Sequence, residues 1–155
     1  MNIAKIFHLK PRGFFFAFVV MDIFCMGLGM GVPFFNILFG FLLGWYLIKW
    51  ISIGTSEMKD ILKRLLFYSS ITAGVTFFIM LLIWGWSVKF LFATEAEMLN
   101  FGVPQILFEP RMSLIAWLVL MILISPFLQL LTTVFAGNLT LLWLNRKGKS
   151  VEKKS

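Results

Sequence analysis

The sequence predicts an all-α integral membrane protein, a four-helix transmembrane bundle with both termini cytoplasmic. Three observations carry that prediction. Of 155 residues, 60% are hydrophobic and only 14% charged, whereas a soluble domain averages roughly 25% charged residues. The polar cover that a water-facing surface needs is missing. Four apolar stretches meet the requirement of roughly 20 residues for crossing a bilayer. The Lys and Arg residues crowd into the segments on one side of those stretches, as they do in cytoplasmic loops. The abundance of Phe (19), Met (9) and Trp (6) suits a protein whose solvent is hydrocarbon.

The whole chain, 1–155, reads as a single transmembrane domain. Its first span, 13–31, follows the basic residues Lys5, Lys10 and Arg12. A cleaved signal peptide also starts that way, but Asp22 interrupts the apolar run and Pro33 with a second span follows at once. A retained helical hairpin is therefore expected. The second span, 34–53, turns back directly after Gly31-Val32-Pro33. In the next connection Thr55 or Ser56 is placed to cap a helix beginning at Glu57, and Asp60 and Arg64 have the i,i+4 spacing of an ion pair. The third span is expected at 65–88 and the outer loop at 89–111. In that loop Thr94-Glu95-Ala96-Glu97 has the pattern of a capping box, closed by Gly102-Val103-Pro104. The fourth span, 112–144, covers about 33 residues, or about 50 Å of straight helix against a hydrocarbon core of about 30 Å. A bend at Pro126 is expected to accommodate it. A basic cytoplasmic tail, 145–155, completes the chain.

Orientation follows from charge. With the amino terminus inside, the inner segments hold Lys5, Lys10 and Arg12, then Lys49, Lys59, Lys63 and Arg64, then Arg146, Lys147, Lys149, Lys153 and Lys154. Only Lys89 and Arg111 fall outside. Trp50 and Trp143 then sit near the inner interface and Trp84, Trp86 and Trp117 near the outer one, where an aromatic belt belongs. The basic tail invites a nucleic-acid reading. Lys and Arg beside a span are better explained by attraction to anionic lipid headgroups, worth about 1 kcal/mol per residue near the surface, and no nucleic-acid partner is expected.

Recognisable chemistry is sparse. The single cysteine, Cys25, rules out an internal disulfide and a CxxC redox pair. The single histidine, His8, leaves no cluster for zinc or a haem pair, and no phosphate loop, HExxH or GxSxG pattern occurs. No catalytic residue, cofactor or metal is therefore expected.

The candidate site lies inside the bilayer. Asp22 is near the middle of the first span, where an ionised carboxylate costs about 2.5–3.5 kcal/mol on the insertion scale. It must face protein or water. The fourth span carries Ser125, Gln129, Thr132, Ala136 and Thr140 along one side, and the third carries Ser69, Thr72 and Thr76. Gln129 falls at about the depth of Asp22, and Pro126 frees the carbonyl of Ile122. The predicted intramembrane polar cluster is Asp22, Gln129, Thr76 and Ser125, with Asp22 and Gln129 within hydrogen-bond reach. Helix packing is assigned to Gly27 and Gly31, and to Gly40 and Gly44 in register with Asn36.

These features define three classes of role. The first is an accessory, anchoring or assembly component of a membrane complex. The second is a small oligomeric transporter or channel using Asp22 as a midplane proton- or cation-coupling group. A lipid-modifying enzyme is disfavoured, because the spans hold one acid and no histidine. The expected setting is the plasma membrane of a bacterium or archaeon, with the lipid bilayer, a homo-oligomer or a larger membrane complex as partners.

Overall fold

The computed structural model describes residues 11–28, 33–54, 57–94, 97 and 107–152. Among them every regular element is helical. Helix α1 spans Pro11–Leu28 and α2 spans Phe34–Gly54. Helix α3 spans Met58–Trp84 and tightens into a 3-10 helix over Gly85–Phe92. Helix α4 has two α-helical parts, Pro110–Val119 and Ser125–Glu152, joined by a π turn over Leu120–Ile124. Three helical runs, Phe34–Gly54, Met58–Phe92 and Pro110–Arg146, are long and apolar enough to cross a membrane, and Gly13–Leu28 is a shorter apolar helix. Many of these residues are β-branched or aromatic and would favour strand in water. In hydrocarbon each backbone N–H and C=O must be satisfied within its own segment, which enforces helix.

The start of α3 falls within a residue of the expected Glu57, well before the apolar span. Helix α3 begins at Met58, almost two turns before the apolar run at Leu65, because Met58–Arg64 is made of good helix formers with Asp60 in the first turn. The hydropathy boundary marks where the apolar run begins, not where the helix begins. Its N-cap is Glu57, in extended conformation and without a side-chain cap bond; Thr55 and Ser56 lie outside the described residues. The capping box in the outer loop is formed: the Thr94 N–H donates to Glu97 Oε2 at 2.9 Å and the Glu97 N–H to Thr94 Oγ1 at 3.4 Å.

The expected bend at Pro126 takes another form. The fourth segment stays helical through the proline, and the adjustment lies one turn earlier. Pro126 has no N–H to offer the carbonyl of Ile122. The Ser125 N–H instead reaches back to Leu120 O, an i→i−5 bond that defines the π turn.

Contacts fix the helix directions. The most extensive interface joins α2 and α4. They run parallel: Gly40 lies against Gln129 and Thr132, and Gly44, one turn on, against Thr133, Ala136 and Gly137. Helix α1 opposes α2, since Phe14 stacks on Tyr46 at 5.0 Å between centroids while the later Phe18 stacks on the earlier Phe39 at 5.9 Å. Helix α3 opposes α4: Leu65 meets Gly137 near one end, and Trp84 meets Trp117 at 4.6 Å near the other. The order is up-down-up-down, so Pro11 and Glu152 are at the same end of the bundle.

Two apolar layers fill it. Phe18, Phe39, Leu43, Leu47, Ile48, Ile51, Ile61, Leu65 and Leu141 form the larger one, toward the chain ends. Met26, Met80, Leu114, Trp117, Leu118 and Met121 form the other. Outward-facing positions, among them Phe16, Leu42, Phe67, Phe78 and Leu82, are exposed and apolar.

The α2–α4 contact depends on missing side chains. A methyl at Gly44 would collide with the Thr133 carbonyl and lie 2.9 Å from the Gly137 nitrogen. One at Gly40 would collide with the Thr132 hydroxyl and lie 2.7 Å from the Gln129 carbonyl oxygen. Backbone cannot yield as a side chain does. Gly27 is exposed, and among the described residues a methyl there would meet nothing within 4 Å. Gly31 lies outside the described residues. Gly44→Ala should therefore lower the thermal unfolding midpoint in detergent, losing about 1–3 kcal/mol through overpacking. Gly27→Ala should stay within about 0.5 kcal/mol of the parent, and equal losses in the two variants would contradict this packing.

Candidate functional site

Between the two apolar layers lies a polar one, to which all four helices contribute. On α1, Asp22 is fully buried, flanked one turn away on either side by Phe18 and Met26, which belong to the two apolar layers. On α2, Asn36 is buried one turn before the close approach at Gly40. On α3, Ser69, Thr72 and Thr76 line the inward face, followed by Met80. On α4, Ser125, Gln129 and Thr133 recur every four residues and are buried.

Hydrogen bonds tie these groups across helices. Gln129 Nε2 donates to Asp22 Oδ1 at 3.0 Å and Thr76 Oγ1 to Asp22 Oδ2 at 2.8 Å, so the two carboxyl oxygens are held by α4 and α3 respectively. Asn36 Nδ2 donates to Ser125 Oγ at 3.3 Å. Nearby, Thr132 Oγ1 donates to the Ile37 carbonyl at 2.9 Å, a side-chain bond across the tight α2–α4 seam. Other hydroxyls bond backward along their own helices, as Thr133 does to the Gln129 carbonyl at 2.7 Å.

Of the predicted cluster, the structure thus brings Asp22, Gln129 and Thr76 into one hydrogen-bonded group. Ser125 belongs to a separate pair: it accepts from Asn36 of α2 and makes no bond to Asp22. Pro126 is buried beside it. Asn36 was read from the sequence as part of a packing stripe, and its amide was the signal that it also belongs to the polar layer. Thr133 carried no such signal, because Thr132 fits the helical stripe better by spacing alone. A second feature was also missed. Ser113 Oγ accepts from the Leu107 N–H at 2.7 Å and donates to the Leu107 carbonyl at 2.8 Å, latching the end of the outer loop onto the first turn of α4.

Three oxygens of this layer have no partner, two amide carbonyls and the Ser69 hydroxyl. Gln129 Oε1 and Asn36 Oδ1 are both buried and unpaired, as are the hydroxyl oxygens of Ser52 and Ser69. Each amide has its nitrogen committed, Gln129 to a carboxylate and Asn36 to a hydroxyl, which turns its oxygen into the interior. Among the described residues no group of three His, Cys, Asp or Glu side chains could hold a metal ion. The layer is an array of acceptors organised around one carboxyl group.

Comparison with known proteins adds no relative: no protein family, no curated protein and no solved structure matches the chain.

Removing a donor from this layer leaves a buried carboxyl oxygen unpaired, which costs about 1–3 kcal/mol. Gln129→Leu should therefore destabilise the bundle on that scale. Combined with Asp22→Leu, which removes the acceptor as well, its effect should be non-additive, with a coupling of about 0.5–2 kcal/mol. A double-mutant cycle of unfolding in mixed micelles measures this; strict additivity would show that the two groups do not interact.

Proposed function

We propose that the chain crosses the plasma membrane of a bacterium or archaeon four times, with both ends in the cytoplasm. Its proposed role is that of an accessory, anchoring or assembly component of a membrane complex. The observation that carries this reading is the use made of the intramembrane polar groups. Asp22, Gln129, Thr76, Asn36 and Ser125 are turned toward one another, joining α1 to α3 and α4, and α2 to α4. Such bonds hold helices together in a solvent that offers no hydrophobic drive for their association. The outward faces are apolar and rich in Phe, suited to lipid and to neighbouring helices.

The orientation rests on charge. Lys59, Lys63 and Arg64 in the first two turns of α3 and Arg146 late in α4 share the end of the bundle to which both chain ends run, while Lys89 and Arg111 lie at the other. Beside Lys63 and Arg64 an open groove, lined also by Asp60, Leu66, Phe67 and Ser70, offers headgroups two cations against one carboxylate, with an apolar continuation.

A second reading is favoured by the unpaired oxygens of Gln129 and Asn36. A small oligomeric transporter or channel would use Asp22 as its proton- or cation-coupling group, and acceptors beside a buried carboxyl are what such a group needs.

In a Cys25→Ser background, Asn2→Cys and Ser155→Cys should react with an impermeant thiol reagent only from the cytoplasmic face, and Asn100→Cys only from outside. Ends labelled from opposite faces would reject the topology. For the role, an assembly component should co-purify with a stoichiometric partner in gentle detergent, and Asp22→Asn should keep that partner. A chain that purifies alone and drives proton-coupled flux in vesicles, lost in Asp22→Asn, would reject assembly in favour of transport.

A further inference from the structure

Asp22 places one carboxyl group in the interior, and no basic side chain comes from the helices that face it. Along α2, α3 and α4 the nearest Lys or Arg lies at least about 13 Å from the level of Asp22 at 1.5 Å per residue. The nearest by this measure, Lys49, holds its ammonium 4.0 Å over the ring of Trp45, an exposed residue. The groups that do face Asp22 are Thr76 and Gln129, and both act as donors to it. Two hydrogen bonds orient a carboxylate but leave its charge in place.

The remaining polar atoms supply the complement. Gln129 Oε1 belongs to the same amide whose nitrogen touches Asp22, and it is buried without a donor. Turning that amide over would set its oxygen against the carboxylate and strand the nitrogen instead. Asn36 Oδ1, equally buried and unpaired, belongs to the amide that donates to Ser125, a residue one turn before Gln129 on the same face of α4. Carboxylate, amide and hydroxyl oxygens are the ligands that hard cations take. One carboxylate balances one positive charge, so a divalent ion here would leave a net charge in the bilayer.

We propose that the carboxyl of Asp22, with the side-chain oxygens of Gln129 and Asn36, forms a buried binding site for a single dehydrated monovalent cation of the size of sodium. The inference rests on Asp22 being an intramembrane group and is independent of whether the chain moves ions. An assembly component would use the ion as a structural counter-charge, a transporter as cargo or coupling ion.

Equilibrium binding of radiolabelled sodium to the full-length protein in detergent tests this. Wild type should bind one ion per chain, displaced by excess sodium but not by choline, and sodium should raise its unfolding temperature above that in choline at equal ionic strength. Asp22→Asn should abolish binding. Gln129→Leu should weaken it about tenfold or more, the scale on which one ligand or supporting group changes metal affinity. Absence of saturable binding by wild type, or binding unchanged in Asp22→Asn, overturns the site and leaves a proton or water as the occupant of the layer. If a variant fails to fold, the two wild-type measurements still decide. Sodium binding without flux in vesicles upholds the site while rejecting transport; flux without sodium binding does the reverse.

Discussion

A carboxyl group inside a bundle whose outer faces are apolar must find its partners within the chain, and the placement of α1 against α3 and α4 follows from where Asp22 finds them. One oxygen is taken by Gln129 from α4 and the other by Thr76 from α3. Those two bonds fix the rotation of α1, because a turn of the helix that moved Asp22 away would present an unpaired carboxyl group to an apolar surface. They also fix its height. Phe18 and Met26, one turn below and above, are delivered into the two apolar layers only when Asp22 is level with Thr76 and Gln129. An apolar residue at position 22 would remove that constraint and leave α1 free to slide on a surface of similar Phe, Leu and Met side chains. Specificity of register is what the buried acid supplies, as a polar residue does at a single core position of a coiled coil.

The α2–α4 pair provides the platform against which that register is read. Small residues recur on both partners, Gly40 and Gly44 on one and Ala136 and Gly137 on the other, so the backbones approach until Cβ atoms would overlap. At that separation Thr132 reaches the Ile37 carbonyl. The same approach brings Asn36 within 3.3 Å of Ser125. Close packing and polar bonding are thus one feature: the glycines make the distance and the hydroxyls and amides use it.

Much of this was legible in the sequence, and the limits have physical causes. Hydropathy located the helical runs because the lipid core sets their length. It located the apolar run of α3 but not the helix start, which the capping pattern before Glu57 placed to within a residue, because polar helix formers extend a helix past the boundary that hydropathy detects. Asp22 and Gln129 could be paired by depth alone, since both fall near the middle of long apolar runs. Thr76 was legible as one of a hydroxyl stripe at i, i+3, i+7. Gly27 packs against no described residue, since a small-xxx-small spacing says that close approach is permitted and not that a neighbour is present. Asn36 and Ser125 lay in the right stripes, but their mutual bond depends on α2 and α4 being parallel and adjacent. That is a tertiary fact no single helix pattern contains.

The π turn shows how a local rule and a global demand can be met together. Inward residues of α4 recur every four positions: Ser113, Trp117, Met121, Ser125, Gln129 and Thr133 are all buried. In an ideal α-helix a step of four overshoots a full turn by about 40°, so five such steps would carry the last residue to nearly the opposite face. A π turn takes more residues per turn, and the i→i−5 bond from Ser125 to Leu120 inserts that slack midway. Met121, in the apolar layer of Met26 and Met80, and Ser125, in the polar one, then share a face. Pro126 is what makes the insertion inexpensive: the carbonyl it cannot serve would be unpaired in a regular helix in any case. The proline therefore acts less as a breaker than as a register device, setting the four-residue repeat that aims Ser125 and Gln129 at the other three helices.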